Sequence, residues 1–111
     1  MNAGYEIMRN FHITSKYKGY PLMIEAIEIS IKNFGKCIQV TKDIYPVLAH
    51  RHNISQYSVE RNIRTIVETC WKNDRDLVIQ ILGYEITCCP TNSEFIDSIA
   101  YYIKMNDSNY T

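Results

Sequence analysis

No apolar run in this 111-residue chain approaches the length needed to cross a bilayer. Its start is not a secretion signal either, since Met1 to Asn10 holds Glu6 and Arg9 and lacks an apolar block. The expected location is therefore cytoplasmic. Neither charge is in excess: twelve Lys and Arg balance twelve Asp and Glu, so the chain lacks the strongly basic character that drives indiscriminate binding to polyanions. No repeat, low-complexity tract or long linker divides it, and the length suits one domain, residues 1–111. The four cysteines, Cys37, Cys70, Cys88 and Cys89, fit no zinc spacing. Reduced thiols packed as small hydrophobes are expected instead. His50 and His52 stand two apart, point in different directions on a helix and have no ligating neighbour, so no metal or other cofactor is expected. A Cys–His pair, such as His12 with a cysteine, would lack an orienting group, which argues against an enzyme.

What is present is helical periodicity, and no convincing strand, so the expected class is all-α with about six helices. A short helix is expected over Tyr5 to Phe11, and a longer one over Tyr20 to Phe34 with Pro21 in its first turn and Gly35 as a left-handed stop. Thr41 can cap the next helix, which runs towards His52. Pro46 either kinks that helix or sits in the first turn of a second short piece. Asn53 suits a sharp turn, and Ser55 can cap a long helix ending near Trp71 or Lys72. Asp74 and Gly83 bracket a shorter helix, and Thr91 with Glu94 forms a capping box ahead of the last one. The tail from Asn106 is polar. Trp71 is expected in the core, and of the adjacent Tyr101 and Tyr102 at most one can face it.

The segment at about 41–72 thus reads as a helix, a short polar turn and a second helix, a central helix–turn–helix. In the second helix Val59, Ile63, Ile66, Val67 and Cys70 form one apolar stripe. Glu60, Arg61 and Arg64 fall outside it, near the helix start, where arginines can meet guanine edges in a major groove. Arg64 could instead pair with Glu60 or Glu68 at i,i+4, as surface arginines commonly do. Ser55, Gln56, Tyr57 and Ser58 at the helix entrance, and Lys42 and Arg51 before it, are candidates for phosphate contact or positioning. The charge is uneven in a helpful sense: residues 1–75 carry eleven basic against seven acidic residues, and residues 76–111 one against five.

Lys18-Gly-Tyr20, Tyr45-Pro46, Ser58-Val-Glu-Arg-Asn-Ile-Arg64, Cys70-Trp71, Gly83-Tyr84 and Pro90-Thr-Asn-Ser-Glu-Phe95 agree in order and spacing with one family. From about Phe11 to Lys104 the chain resembles the C-terminal effector domain of the stage 0 sporulation protein A family of transcription factors. The resemblance implies a six-helix fold and binding to a short TGTCGAA-type box in double-stranded promoter DNA, often as a tandem self-associated pair. It also implies RNA polymerase as a further partner. It places Glu60, Arg61 and Arg64 at base-reading positions and sets Leu82, Tyr84 and Tyr101 near an effector–effector interface. The family usually has a basic residue where Ser58 stands here and often a histidine at Thr65. It also carries an N-terminal receiver domain for which this chain has no room, so an excised effector domain and a stand-alone relative both stay open. These departures motivate an alternative: a module that does not bind DNA but pairs with the full-length sporulation regulator.

Overall fold

Side chains at helix starts fix most of the architecture. In the computed structural model, which describes residues 3–106, six α-helices and one π-helical turn follow each other with no strand among the described residues. The polar tail beyond Asn106 lies outside the described residues. Helix α1 (Ala3–Asn10) buries Ile7 and Met8, and α2 (Tyr20–Lys32) buries Leu22, Met23, Ile24, Ala26 and Ile27. Pro21 stands in the first turn of α2, where a missing N–H costs nothing. The helix stops earlier than Gly35. Asn33 ends it, with both its backbone N–H and its side-chain Nδ2 donating to the Ile29 carbonyl, at 3.1 and 2.8 Å. Gly35, at φ +87°, shapes the turn beyond.

The next segment resolves the alternative at Pro46. A π-helical turn, Val40–Ile44, leads into α3 (Tyr45–His52), and Pro46 occupies the first turn of α3. Thr41 is exposed and does not cap. The Asp43 carboxylate instead reaches back from within the turn and accepts from the Gln39 N–H at 2.7 Å. Asn53 adopts the left-handed conformation at φ +54°, and the Ile54 N–H returns to the Ala49 carbonyl at 3.0 Å. Ser55 Oγ then accepts from the Ser58 N–H at 3.0 Å and starts α4 (Gln56–Asn73). Asp74 caps α5 (Arg75–Leu82) through the Leu77 N–H at 3.0 Å, and Gly83 closes it at φ +86°. The capping box ahead of α6 (Asn92–Asn106) is reciprocal: Thr91 N–H donates to Glu94 Oε1 at 3.0 Å and Glu94 N–H to Thr91 Oγ1 at 3.1 Å.

The core lies between α2, α4 and α6. The α4 stripe of Val59, Ile63, Ile66, Val67 and Cys70 is fully buried there, with Phe11 and Phe95 edge to face at 5.9 Å. Gly19, just before α2, lies so close to α4 that a Cβ on it would overlap the Asn62 carbonyl oxygen and come within 2.9 Å of Ile66 Cγ1. Trp71 sits at the core's edge rather than inside it, and the Arg75 guanidinium covers its ring at 4.5 Å. Tyr102 packs on the core and Tyr101 faces out. Of the four cysteines Cys70 is fully buried in the core, and burial pushes its thiol pKa far up. Cys89 is half-buried and packs against the core, while Cys37 and Cys88 are exposed in connecting segments.

Candidate nucleic-acid interface

With its apolar stripe turned inward, α4 presents the opposite face of its first half to solvent. Gln56, Tyr57, Glu60, Arg61 and Thr65 are exposed, and Ser58 and Arg64 are half-buried. Arg61 is an exposed cation on this face. Its Nη1 donates to the Tyr57 hydroxyl at 3.0 Å, and its guanidinium lies 5.6 Å from the Tyr57 ring centre. The hydrogen bond to Tyr57 raises the Arg61 pKa further above an already high value, so the group is a permanent cation.

Arg64 is placed differently. Its Nη1 donates to the Pro90 carbonyl at 2.7 Å, and its Nε approaches Glu68 Oε2 at 3.4 Å. The Cys89 sulfur leans on the same carbonyl at 3.6 Å, and its burial pushes that thiol up while Arg64 opposes the shift. Of the two i,i+4 partners that the sequence offers Arg64, the structure uses Glu68. Arg61 and Arg64 nevertheless line one cleft of about 660 Å³ with Tyr57, Glu60, Thr65 and Asn92, between α4 and the start of α6.

Asn92 is the residue that sequence reasoning missed. It is buried at the first position of α6, and its Nδ2 donates to the Tyr45 hydroxyl at 2.9 Å and to the Glu60 carbonyl at 3.2 Å. One amide thus ties α6 to α3 and to the first half of α4. Burial raises the Tyr45 pKa, and the hydrogen bond from Asn92 partly offsets this. The only sequence signal was the Asn between the two members of the capping box.

The positioning candidates divide as well. Ser55 is spent on the cap, and its hydroxyl donates to Ser58 Oγ at 3.1 Å. Gln56 and Lys42 are exposed at the start of α4 and on the π-helical turn. Arg51 pairs with Glu25 on α2 at 3.0 Å, while His52 Nε2 meets the other oxygen of that carboxylate at 2.7 Å. Among the interface candidates, Leu82 and Tyr101 share a groove of about 390 Å³ that Tyr84 does not line. Leu82 is mostly buried, and the Tyr101 ring lies tilted against Phe34 with centroids 6.2 Å apart. Among the described residues no group of three or more His, Cys, Asp or Glu is arranged to hold a metal, and no helix is long and apolar enough to cross a membrane.

A short helix, a three-residue turn and a long helix with a polar outer face, set on a helical core, are consistent with a helix–turn–helix. The chain belongs to the family described as sporulation initiation factor Spo0A, C terminal, whose profile matches residues 5–103. That family consists of DNA-binding domains of transcription factors that initiate sporulation.

Proposed function

We propose that this chain is a single helical effector domain that reads a short TGTCGAA-like box in promoter DNA and regulates transcription from it. Helix α4 enters the major groove. Arg61 and Arg64 donate to guanine O6 and N7, and Glu60 accepts from a cytosine amino group or orients a neighbouring arginine. Ser55, Gln56, Tyr57, Ser58 and Lys42 fix the register on phosphates, with Arg51 contributing the part of its side chain that its bond to Glu25 leaves exposed. Tandem copies associate on adjacent boxes through the surface that includes Leu82, Tyr84 and Tyr101, with RNA polymerase as a further contact. The observation that carries this reading is the exposed Arg61, aimed away from the core on the first half of α4. Gel-shift titration on a TGTCGAA-type duplex tests it. Arg61→Ala and Arg64→Ala are each expected to weaken specific binding by roughly 1–3 kcal/mol with helical content intact by circular dichroism. Unchanged box preference in both variants rejects the readout.

One observation favours a second reading, in which the domain pairs with the full-length sporulation regulator instead of DNA. Arg64 already donates to the Pro90 carbonyl and to Glu68, so part of its donor set is engaged within the protein. Capture of the full-length regulator together with no salt-sensitive binding to DNA supports that reading, because phosphate contacts release counterions and an apolar protein contact does not.

A further inference from the structure

We infer that Tyr57 is a positioning residue for base readout, holding the Arg61 guanidinium in its reading orientation and offering its own hydroxyl proton to a backbone phosphate. The inference rests on the DNA reading above and deepens it. Tyr57 is 65 % exposed, so its ring is not there to fill the core. It stands one turn before Arg61 on the same face of α4, where side chains four apart are neighbours. Two contacts join the pair: the 3.0 Å hydrogen bond and the approach of the guanidinium to the ring at 5.6 Å.

The direction of that bond matters. A guanidinium can only donate, so the phenol oxygen is the acceptor, and the phenol proton is left pointing away from Arg61. On an exposed helix face near the N-terminus, the acceptor for that proton when DNA binds is a phosphate oxygen. Tyr57 would then bridge a group that reads bases and a group that carries no sequence information.

An unrestrained arginine loses several rotamers when it docks on one base edge, and that loss weakens binding. A partner that already confines the side chain in the free protein reduces the loss. Arg64 is confined by a different device, the Pro90 carbonyl, so the two arginines are aimed independently. Tyr57 therefore acts on discrimination at the base pair that Arg61 reads and not at the one that Arg64 reads.

The test uses the whole chain and a panel of duplexes, the TGTCGAA-type box and each of its single base-pair substitutions, titrated by fluorescence anisotropy. Tyr57→Ala is expected to weaken box binding roughly three- to ten-fold and to flatten discrimination at the same base pair as Arg61→Ala does. Tyr57→Phe, which keeps the ring and loses the hydroxyl, should fall between wild type and Tyr57→Ala. The double variant Tyr57→Ala, Arg61→Ala should discriminate there no worse than Arg61→Ala alone. The salt slope should stay unchanged in the tyrosine variants, since no cation is lost. If Arg61→Ala loses discrimination while both tyrosine variants keep wild-type affinity and base preference, the inference is overturned and the DNA reading stands. If Arg61→Ala itself leaves base preference untouched, the readout assignment fails and takes the inference with it.

Discussion

Asn92 and Gly19 set the position of α4 from opposite sides. Asn92 supplies donors to the Tyr45 hydroxyl and the Glu60 carbonyl, both inside or at the edge of the core. Removing a buried partner leaves groups that water cannot fully reach, at a cost of about 1–3 kcal/mol each. Asn92→Ala is thus expected to lower stability by roughly 2–3 kcal/mol in urea denaturation, despite removing so few atoms. Its own Oδ1 is buried without a partner, so the side chain is tolerated for what its nitrogen does. At Gly19 the constraint is space. The backbone angle there is ordinary, φ −78°, but a Cβ has no room against the Asn62 carbonyl of α4. Gly19→Ala is expected to cost about 1–3 kcal/mol through forced separation of α2 from α4, read as a lowered urea midpoint. An unaltered midpoint would mean that the two helices separate at no cost.

At the scale of elements, what could be read in advance is what local chemistry decides. The α4 stripe, the Ser55 cap, the left-handed Asn53, the Asp74 and Gly83 boundaries and the Thr91–Glu94 box all depend on residues within one turn of each other, and all appear in the structure as the sequence implies. The segment before α3 differed because a carboxylate inside it, and not a hydroxyl at its start, holds the flanking N–H. Thr41 and Asp43 are both capable acceptors, and the π-helical turn brings Asp43 to the Gln39 N–H. This difference is measurable. Ser55→Ala should destabilise the domain by about 1 kcal/mol, whereas Thr41→Ala should leave thermal unfolding nearly unchanged. The site divides along the same line. Arg61 is legible because exposure follows from the helical period. The Arg64–Pro90 bond joins residues 26 apart in sequence and Asn92–Tyr45 residues 47 apart, and such bonds between a single polar group and a distant partner leave no period to detect. Trp71 packs against the core as expected but only in part, since an aromatic on the rim of a stripe can be covered by a cation as well as by the core.

At the scale of the whole molecule, the balance of charge decides how binding should depend on salt. The zero net charge conceals a division between a basic stretch, residues 1–75, that contains α4 and an acidic remainder, residues 76–111. Within the basic stretch, two cations have partners of their own: Arg51 shares its charge with Glu25, and Arg75 lies on Trp71. Counting Lys42, Arg61 and Arg64 as the cations that meet the duplex in the proposed reading gives roughly three counterions released. The slope of log affinity against log salt should then be about −2.7, a loss of roughly forty-fold between 50 and 200 mM salt. Lys42→Ala should reduce the slope by about 1 and weaken all duplexes alike, whereas Arg61→Ala should reduce it and also erase preference at one base pair. A slope near zero would place the partner among proteins and revive the pairing with the full-length regulator. A slope far steeper than this would mean that a broader cationic surface touches the duplex than the face of α4 provides.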